Sequence, residues 1–458
     1  MDISEQLENI MPTELTGSVA RTVGVTASIA DFPAPVGAIV QIERQAGGPL
    51  LAEVIGFRDE LTLVYPFENL GGVRRGNRVR LVRTSSWLKV GDELLGRVVN
   101  AHGKAVDGLP EPALTERAKF DRLPPQACQR PKIVEPLSTG VRAIDSLITC
   151  GRGQRIGIFA GTGVGKSVLL GMMARHTNAD VIVIAMIGER GRELNEFIER
   201  DLGPDGLAKG VVVVATSDEP ALFRVNAAFT ATAIAEHFRD QGKDVLLVMD
   251  SITRFALAQR EIGLAAGEPP TTRGYPPSVF GLLPKLAERA GRSLLGSITA
   301  FYSVLVEGDD VTEPISDSVR GLLDGHIWLS RNLASTGHYP AIDVFESLSR
   351  LMTQITSERH RQAAIALREL LAAYRDHEDL ISIGAYRSGT NLAVDTAIEM
   401  QDQIRGFLCQ RLEEKFSLKE SKEGLIALQT LAEEIKARLA SQETKLPKHE
   451  PQTAVPNR

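Results

Sequence analysis

The segment Ala160-Gly161-Thr162-Gly163-Val164-Gly165-Lys166-Ser167 constrains this chain more than any other, because it lies between an apolar β-type run at 156–159 and a helical stretch at 168–175. Strand, glycine-rich loop, then helix is the context a P-loop needs. The glycines let successive backbone N–H groups turn toward one anion with no Cβ in the way, and the following helix points its positive end at the same place. Gly161, Thr162, Gly163, Val164, Gly165 and Val168 are therefore expected to cradle phosphates. Lys166 falls where it would reach the β and γ phosphates, and Ser167 where its hydroxyl would meet Mg²⁺. Ala160 stands where the strict pattern has its first glycine, a change of one methyl group outside the tight part of the loop.

A second run, Val245-Leu246-Leu247-Val248-Met249-Asp250, reads as a buried strand ending in a carboxylate. That arrangement holds Mg²⁺ through its water shell, and Asp250 is the expected second metal contact. The runs at 156–159, 181–187, 211–215 and 245–249 lack polar alternation. Such strands are covered by helices on both faces, which predicts an α/β domain with a mainly parallel sheet. The 458 residues leave room for about three domains at roughly 150 residues each. Ahead of the α/β region, short β-type runs at 38–43, 51–57, 61–65 and 79–82 indicate a small all-β unit. Beyond residue 350 the pattern turns helical. Leu367, Leu370, Leu371 and Tyr374 fall on one helix face, and another helical run covers 421–440. The expected divisions are an N-terminal segment 1–14, a β-barrel 15–85, a P-loop domain 86–350, a helical domain 351–440 and a disordered, proline-bearing tail 441–458.

Lysine and arginine total 52 against 58 acidic residues, a net charge of −6, and aromatic residues make up 5%. The basic run from Arg74 to Arg83 has no interleaved aromatics to stack on bases, so it reads as a solvated face and no nucleic-acid partner is expected. The longest near-apolar stretch, 294–306, is interrupted by Gly296, Ser297, Thr299 and Ser303 and is shorter than the ~20 residues of a membrane span. The acidic N-terminus lacks the pattern of a secretory signal. A cytoplasmic location follows, with at most peripheral membrane association. Cys128, Cys150 and Cys409 are far apart and unpaired in spacing, and read as ordinary buried thiols.

Hydrolysis requires a group that orients or deprotonates water. Glu189, in Gly188-Glu189-Arg190-Gly191-Arg192-Glu193, follows the run at 181–187 and would emerge on the ligand-binding rim of the sheet. It is the candidate base, although a solvated carboxylate paired with Arg190 or Arg192 fits the local residues as well. The same motifs, followed by Met249-Asp250-Ser251-Ile252-Thr253-Arg254-Phe255-Ala256, Gly337-His338-Tyr339-Pro340-Ala341-Ile342-Asp343 and Ser347-Leu348-Ser349-Arg350, resemble the catalytic core of rotary-type ATPases. Within that superfamily, Gly274-Tyr275-Pro276-Pro277-Ser278-Val279-Phe280-Gly281-Leu282-Leu283-Pro284 and Gly384-Ala385-Tyr386-Arg387-Ser388-Gly389 resemble the type III export ATPases, flagellar or virulence-associated.

The resemblance implies a RecA-like P-loop core with an N-terminal β-barrel and a C-terminal helical domain, and ATP and Mg²⁺ as ligands. It implies that Glu189 polarises the attacking water with Arg190 beside it, that Arg254 positions the γ phosphate and that Tyr339 stacks on adenine. It makes Arg350 an arginine finger inserted into a neighbour's site, and hence the assembly a homohexamer. Local sequence alone leaves Tyr339 as a core tyrosine and Arg350 as a surface arginine. Noncatalytic relatives carry glutamine at the base position, so Glu189 favours a catalytic chain. The implied function is ATP hydrolysis energising flagellar protein export. The implied partners are a stator-like regulator at residues 1–10, export-gate and stalk components, exported substrates and their chaperones. The alternatives are a virulence secretion ATPase or a noncatalytic nucleotide-binding ring subunit.

Overall fold

The computed structural model describes residues 15–45, 47–306, 310 and 312–443. The expected docking segment at 1–10 and tail residues 444–458 lie outside the described residues. Six antiparallel strands, β1 (Thr16–Val23), β2 (Thr26–Ala30), β3 (Ile39–Ile42), β4 (Leu50–Arg58), β5 (Leu61–Pro66) and β6 (Arg78–Arg83), close into a barrel in the order β1-β2-β5-β4-β3-β6. Leu50, Ala52 and Val54 alternate inward along β4 and meet Val19, Ile29 and Val64 in the barrel core, as the two-residue period of a strand requires.

A short ribbon follows, β7 (Trp87–Val90) paired with β9 (Glu116–Lys119). The central sheet has nine strands: β8 (Arg97–Asn100), β10 (Arg155–Ala160), β11 (Val181–Glu189), β12 (Gly210–Thr216), β13 (Asp244–Asp250), β14 (Gly291–Arg292), β15 (Ser297–Leu305), β16 (Gly325–Leu329) and β17 (Ile342–Ser349). Their order is β17-β16-β10-β15-β13-β11-β12-β8, with β14 paired to the start of β15; only β14 and β17 run antiparallel to their neighbours. Val181, Val183, Ala185 and Ile187 of β11 enter one hydrophobic cluster with the helix Ala221–Asp240. Ile182, Ile184 and Met186 enter the opposite cluster with the helix Lys166–His176. Both faces of the strand are dry, which explains the absence of polar alternation in its sequence.

The interrupted stretch at 294–306 contains a central strand, β15, between β10 and β13. Each polar interruption has a partner: Ser303 Oγ donates to Asp250 Oδ1 at 2.6 Å, Ser297 Oγ donates to Asp244 Oδ1 at 2.6 Å, and Thr299 Oγ1 accepts from Gly153 N at 2.8 Å. Satisfied hydroxyls are tolerated in a core that would reject unpaired ones.

Four helices dominate the C-terminal part, Glu358–Ser382, Leu392–Glu399, Gln401–Leu408 and Leu418–Glu443. Leu367 is buried, and Leu370 and Leu371 pack against the same cluster as the P-loop helix. The last helix runs to Glu443, three residues past the expected end of the helical part. Cys150 is buried but Cys128 is exposed, contrary to the expectation of buried thiols. Among the described residues no helix is long and apolar enough to cross a membrane.

Candidate active site

The loop after β10 ends in Gly165, the N-terminal cap of the helix Lys166–His176. Gly163 and Gly165 have φ of 78° and 91°, a region a side chain makes costly, so both positions require glycine. Leu169 N donates to Gly165 O at 3.0 Å, the first bond of the helix. The earlier N–H groups have no helical acceptor and are available to an anion. Ala160 is the last residue of β10, buried within the strand, where a methyl group costs nothing.

Lys166 Nζ lies 2.5 Å from Asp250 Oδ1 and 4.0 Å from Glu189 Oε1. Asp250 is buried at the end of β13, and both Lys166 and Ser303 bond its Oδ1. Among the described residues its Oδ2 has no protein partner, so it is free to accept from a metal-bound water.

Glu189 owes its direction to a bulge. The register of β11 against β12 slips between Ile187 and Glu189, and Gly188 between them has φ of 69°. A Cβ on Gly188 would meet Arg254 Cδ at 3.0 Å, so the glycine also admits the arginine against the strand. Arg254 comes from the helix Ile252–Ala266 and places Nε 3.2 Å from Glu189 Oε1. Glu189 is thus a buried carboxylate paired with Arg254, and the reading of a solvated partner for Arg190 or Arg192 does not hold. Burial, with the charge of Asp250 adding to it, pushes its pKa up to about 7, while Lys166 and Arg254 pull the other way.

Arg190, expected beside Glu189 in the site, is not there. Its side chain is 77% exposed and pairs with Glu193 at 3.5 Å, because residue 190 caps the helix Gly191–Glu196 and directs its side chain outward. Tyr339 borders a cleft of 830 Å³ with Gly165, Val168, Arg142, Gln410 and Phe416. Its ring lies 3.5 Å from where a Cβ on Gly165 would stand, and its carbonyl accepts from Gln410 N at 2.9 Å. Arg142 lies over the Phe416 ring at 4.0 Å. Gln410 and Phe416 carried no local sequence signal; they reach the cleft because the loop between the last two helices folds back over it.

Arg350 is exposed at the end of β17, and its N–H donates to Asp324 O, whose own N–H donates to Arg155 O. Arg155 opens β10, while the P-loop follows Ala160 at the other end. Five strand steps at ~3.3 Å put about 17 Å between them, beyond the reach of one arginine side chain. Arg350 cannot serve the phosphate site of its own chain.

Residues 140–349 match the model of the ATP synthase alpha/beta family, nucleotide-binding domain, and residues 356–427 that of the T3SS EscN ATPase C-terminal domain. The flagellum-specific ATP synthase of Bacillus subtilis is 50% identical, over 90% of this chain and 94% of its own. The chain belongs to the type III export ATPases. The type 3 secretion system ATPase of Xanthomonas euvesicatoria is 52% identical over 86% of this chain and 89% of its own. The assembled ATPase EscN of enteropathogenic E. coli, solved in complex with its central stalk EscO, superposes with a TM-score of 0.84 at 45% identity, covering 90% of this chain and 99% of that one. As an export ATPase the chain hydrolyses ATP. It also shares the expected architecture of barrel, P-loop core and helical C-terminal part.

Proposed function

We propose that this export ATPase couples Mg²⁺-dependent ATP hydrolysis to flagellar protein export, releasing substrates from chaperones and assisting their entry into an export gate. The observation that carries the chemistry is the convergence of Lys166, Asp250, Glu189 and Arg254 beside the P-loop, at the C-terminal ends of strands. Lys166 and the amides of Gly161, Thr162, Gly163, Val164, Gly165, Ser167 and Val168 bind the phosphates. The Ser167 hydroxyl and the free oxygen of Asp250 would hold a hydrated Mg²⁺, which would offset the negative charge of the phosphates. Glu189, its pKa raised to about 7, orients the attacking water and takes its proton. Arg254 holds Glu189 in place and lies within reach of the γ phosphate. Tyr339 stacks on the base, a contact that suits any flat purine.

Arg350 completes the site of a neighbouring copy, which makes the working form a ring, read here as a homohexamer acting in the cytoplasm with at most peripheral membrane contact. Partners of this reading are a stator-like regulator at residues 1–10, a stalk protein analogous to EscO, gate components, and cargo with chaperones. The flagellar assignment is supported by 50% identity to a flagellum-specific relative over 90% of the chain. The test is complementation of a strain lacking its own copy of this gene: export of flagellar protein to the medium is expected with the wild type and lost with Glu189→Gln. Restoration by the Glu189→Gln chain would refute the coupling of hydrolysis to export.

A further inference from the structure

Leu294 and Leu295 are 81% and 68% exposed at the tip of the turn from β14 to β15. The turn is fixed. Ser293 N donates to Gly296 O at 2.9 Å, and Ser293 Oγ accepts from the N–H groups of Leu295 and Gly296, each at 3.2 Å. A Cβ on Gly296 would lie 2.4 Å from Lys243 O, so only glycine lets the turn sit against the chain there. Arg292 Nη1 anchors its base by donating to Lys132 O at 3.1 Å. Two adjacent leucines are thus presented to solvent in a preordered shape, the condition under which a partner gains most from burying them.

The position of the turn identifies the partner. Arg292 packs on Gly153, where a Cβ would lie 3.0 Å from Arg292 N. The next residue, Gln154, donates through Nε2 to Asp324 O at 3.0 Å and to Ser349 Oγ at 3.1 Å, immediately beside Arg350. The leucine turn and Arg350 therefore share one rim, at the N-terminal ends of the parallel strands. β15 and β17 are three strand spacings apart, about 14 Å at ~4.8 Å each. An interface patch of about 800 Å² per partner is roughly 30 Å across, so one centred on Arg350 extends as far as this turn. Apolar anchors beside an arginine match the composition of protein interfaces, in which charged residues other than arginine are depleted at the centre.

We propose that Leu294 and Leu295 form an apolar contact of the ring interface, seated on the nucleotide-binding rim of a second copy of this chain. This rests on the reading of Arg350 as a residue supplied in trans.

The test compares the wild type, the double variant Leu294→Ser/Leu295→Ser and Arg350→Ala across chain concentration, by analytical ultracentrifugation and phosphate release. The leucine variant should need at least about tenfold more protein for half-assembly, each lost decade of affinity reflecting removal of anchor contacts. At saturating concentration its activity per chain should equal the wild type's, and far-UV circular dichroism should show an unchanged fold. A photo-crosslinker at position 295 should join two copies of the chain, through peptides of the nucleotide-binding rim. Assembly of the leucine variant at the wild-type concentration, or crosslinks from 295 only to another protein while rings form, overturns the proposal and leaves Arg350 in trans intact. A wild type that hydrolyses ATP at full rate as a monomer overturns both.

Discussion

Loss of Arg350 should be rescued by a partner that is itself inactive. Arg350 stands about 17 Å along β10 from its own P-loop, so each site takes its loop from one chain and its arginine from the next. Arg350→Ala alone should lower turnover by about 10³ to 10⁵, equivalent to ~4–7 kcal/mol of transition-state stabilisation. Lys166→Ala should be at least as damaging through loss of the ammonium on the phosphates. In rings formed from a 1:1 mixture, an interface works when an Arg350→Ala chain contributes the loop and a Lys166→Ala chain the arginine. Random assembly gives that pairing at about one interface in four, so independently firing sites should recover about a quarter of wild-type turnover. Steady-state phosphate release measures the activity, and native mass spectrometry of differently tagged chains verifies mixing. Verified mixed rings no more active than the sum of their parents would refute the shared site.

Glu189→Gln should reduce kcat by about 10² to 10⁴ while nucleotide binding persists, since the amide cannot take a proton. In the wild type kcat/KM should fall as pH drops through about 7, where burial leaves the Glu189 carboxyl of the free enzyme protonated, and stopped-time assays should find that limb missing from the variant's residual activity. The same shift acts on stability with opposite sense. The folded carboxyl holds its proton more tightly than the unfolded one, so its contribution is complete below about pH 4.5 and is lost as pH rises through about 7. Denaturant titration of the nucleotide-free protein should show that loss lessened in Glu189→Gln. Tyr339→Ala should raise KM for ATP by about 5- to 150-fold, the ~1–3 kcal/mol of one stacked base, with kcat changed little, whereas Tyr339→Phe should retain wild-type kinetics. Equal KM values for Tyr339→Ala and wild type would remove the residue from the base site.

The P-loop is legible in sequence because its strand, loop and helix are contiguous, so 20 or so residues carry the whole device. Asp250 is legible for a similar reason: a dry strand ending in a carboxylate is unusual enough to stand beside the loop. β15 is not, because Gly296, Ser297, Thr299 and Ser303 disrupt its apolar run, and the partners that make those hydroxyls tolerable come from other strands. The barrel's first two strands also lack a strong alternating pattern, and the last three residues of β1, Arg21, Thr22 and Val23, are all exposed. At the site, Glu189 is nameable from its strand end, but its burial against Arg254 depends on the bulge at Gly188, a feature of pairing rather than of order along the chain. Arg190 shows the converse: the family resemblance implies a place beside Glu189 in the site, and the helix it caps directs its side chain to solvent. Gln410 and Phe416 reach the cleft by tertiary folding alone.

The most direct measurement is a structure of the assembled protein with Mg²⁺ and a non-hydrolysable ATP analogue. The expected result has the triphosphate in the loop from Gly161 to Ser167 with Lys166 drawn off Asp250 onto it, the base against Tyr339, and the γ phosphate met by Arg350 of the partner subunit. A nucleotide bound elsewhere, or an Arg350 facing solvent in every ring interface, would contradict a phosphate site shared between two copies of the chain.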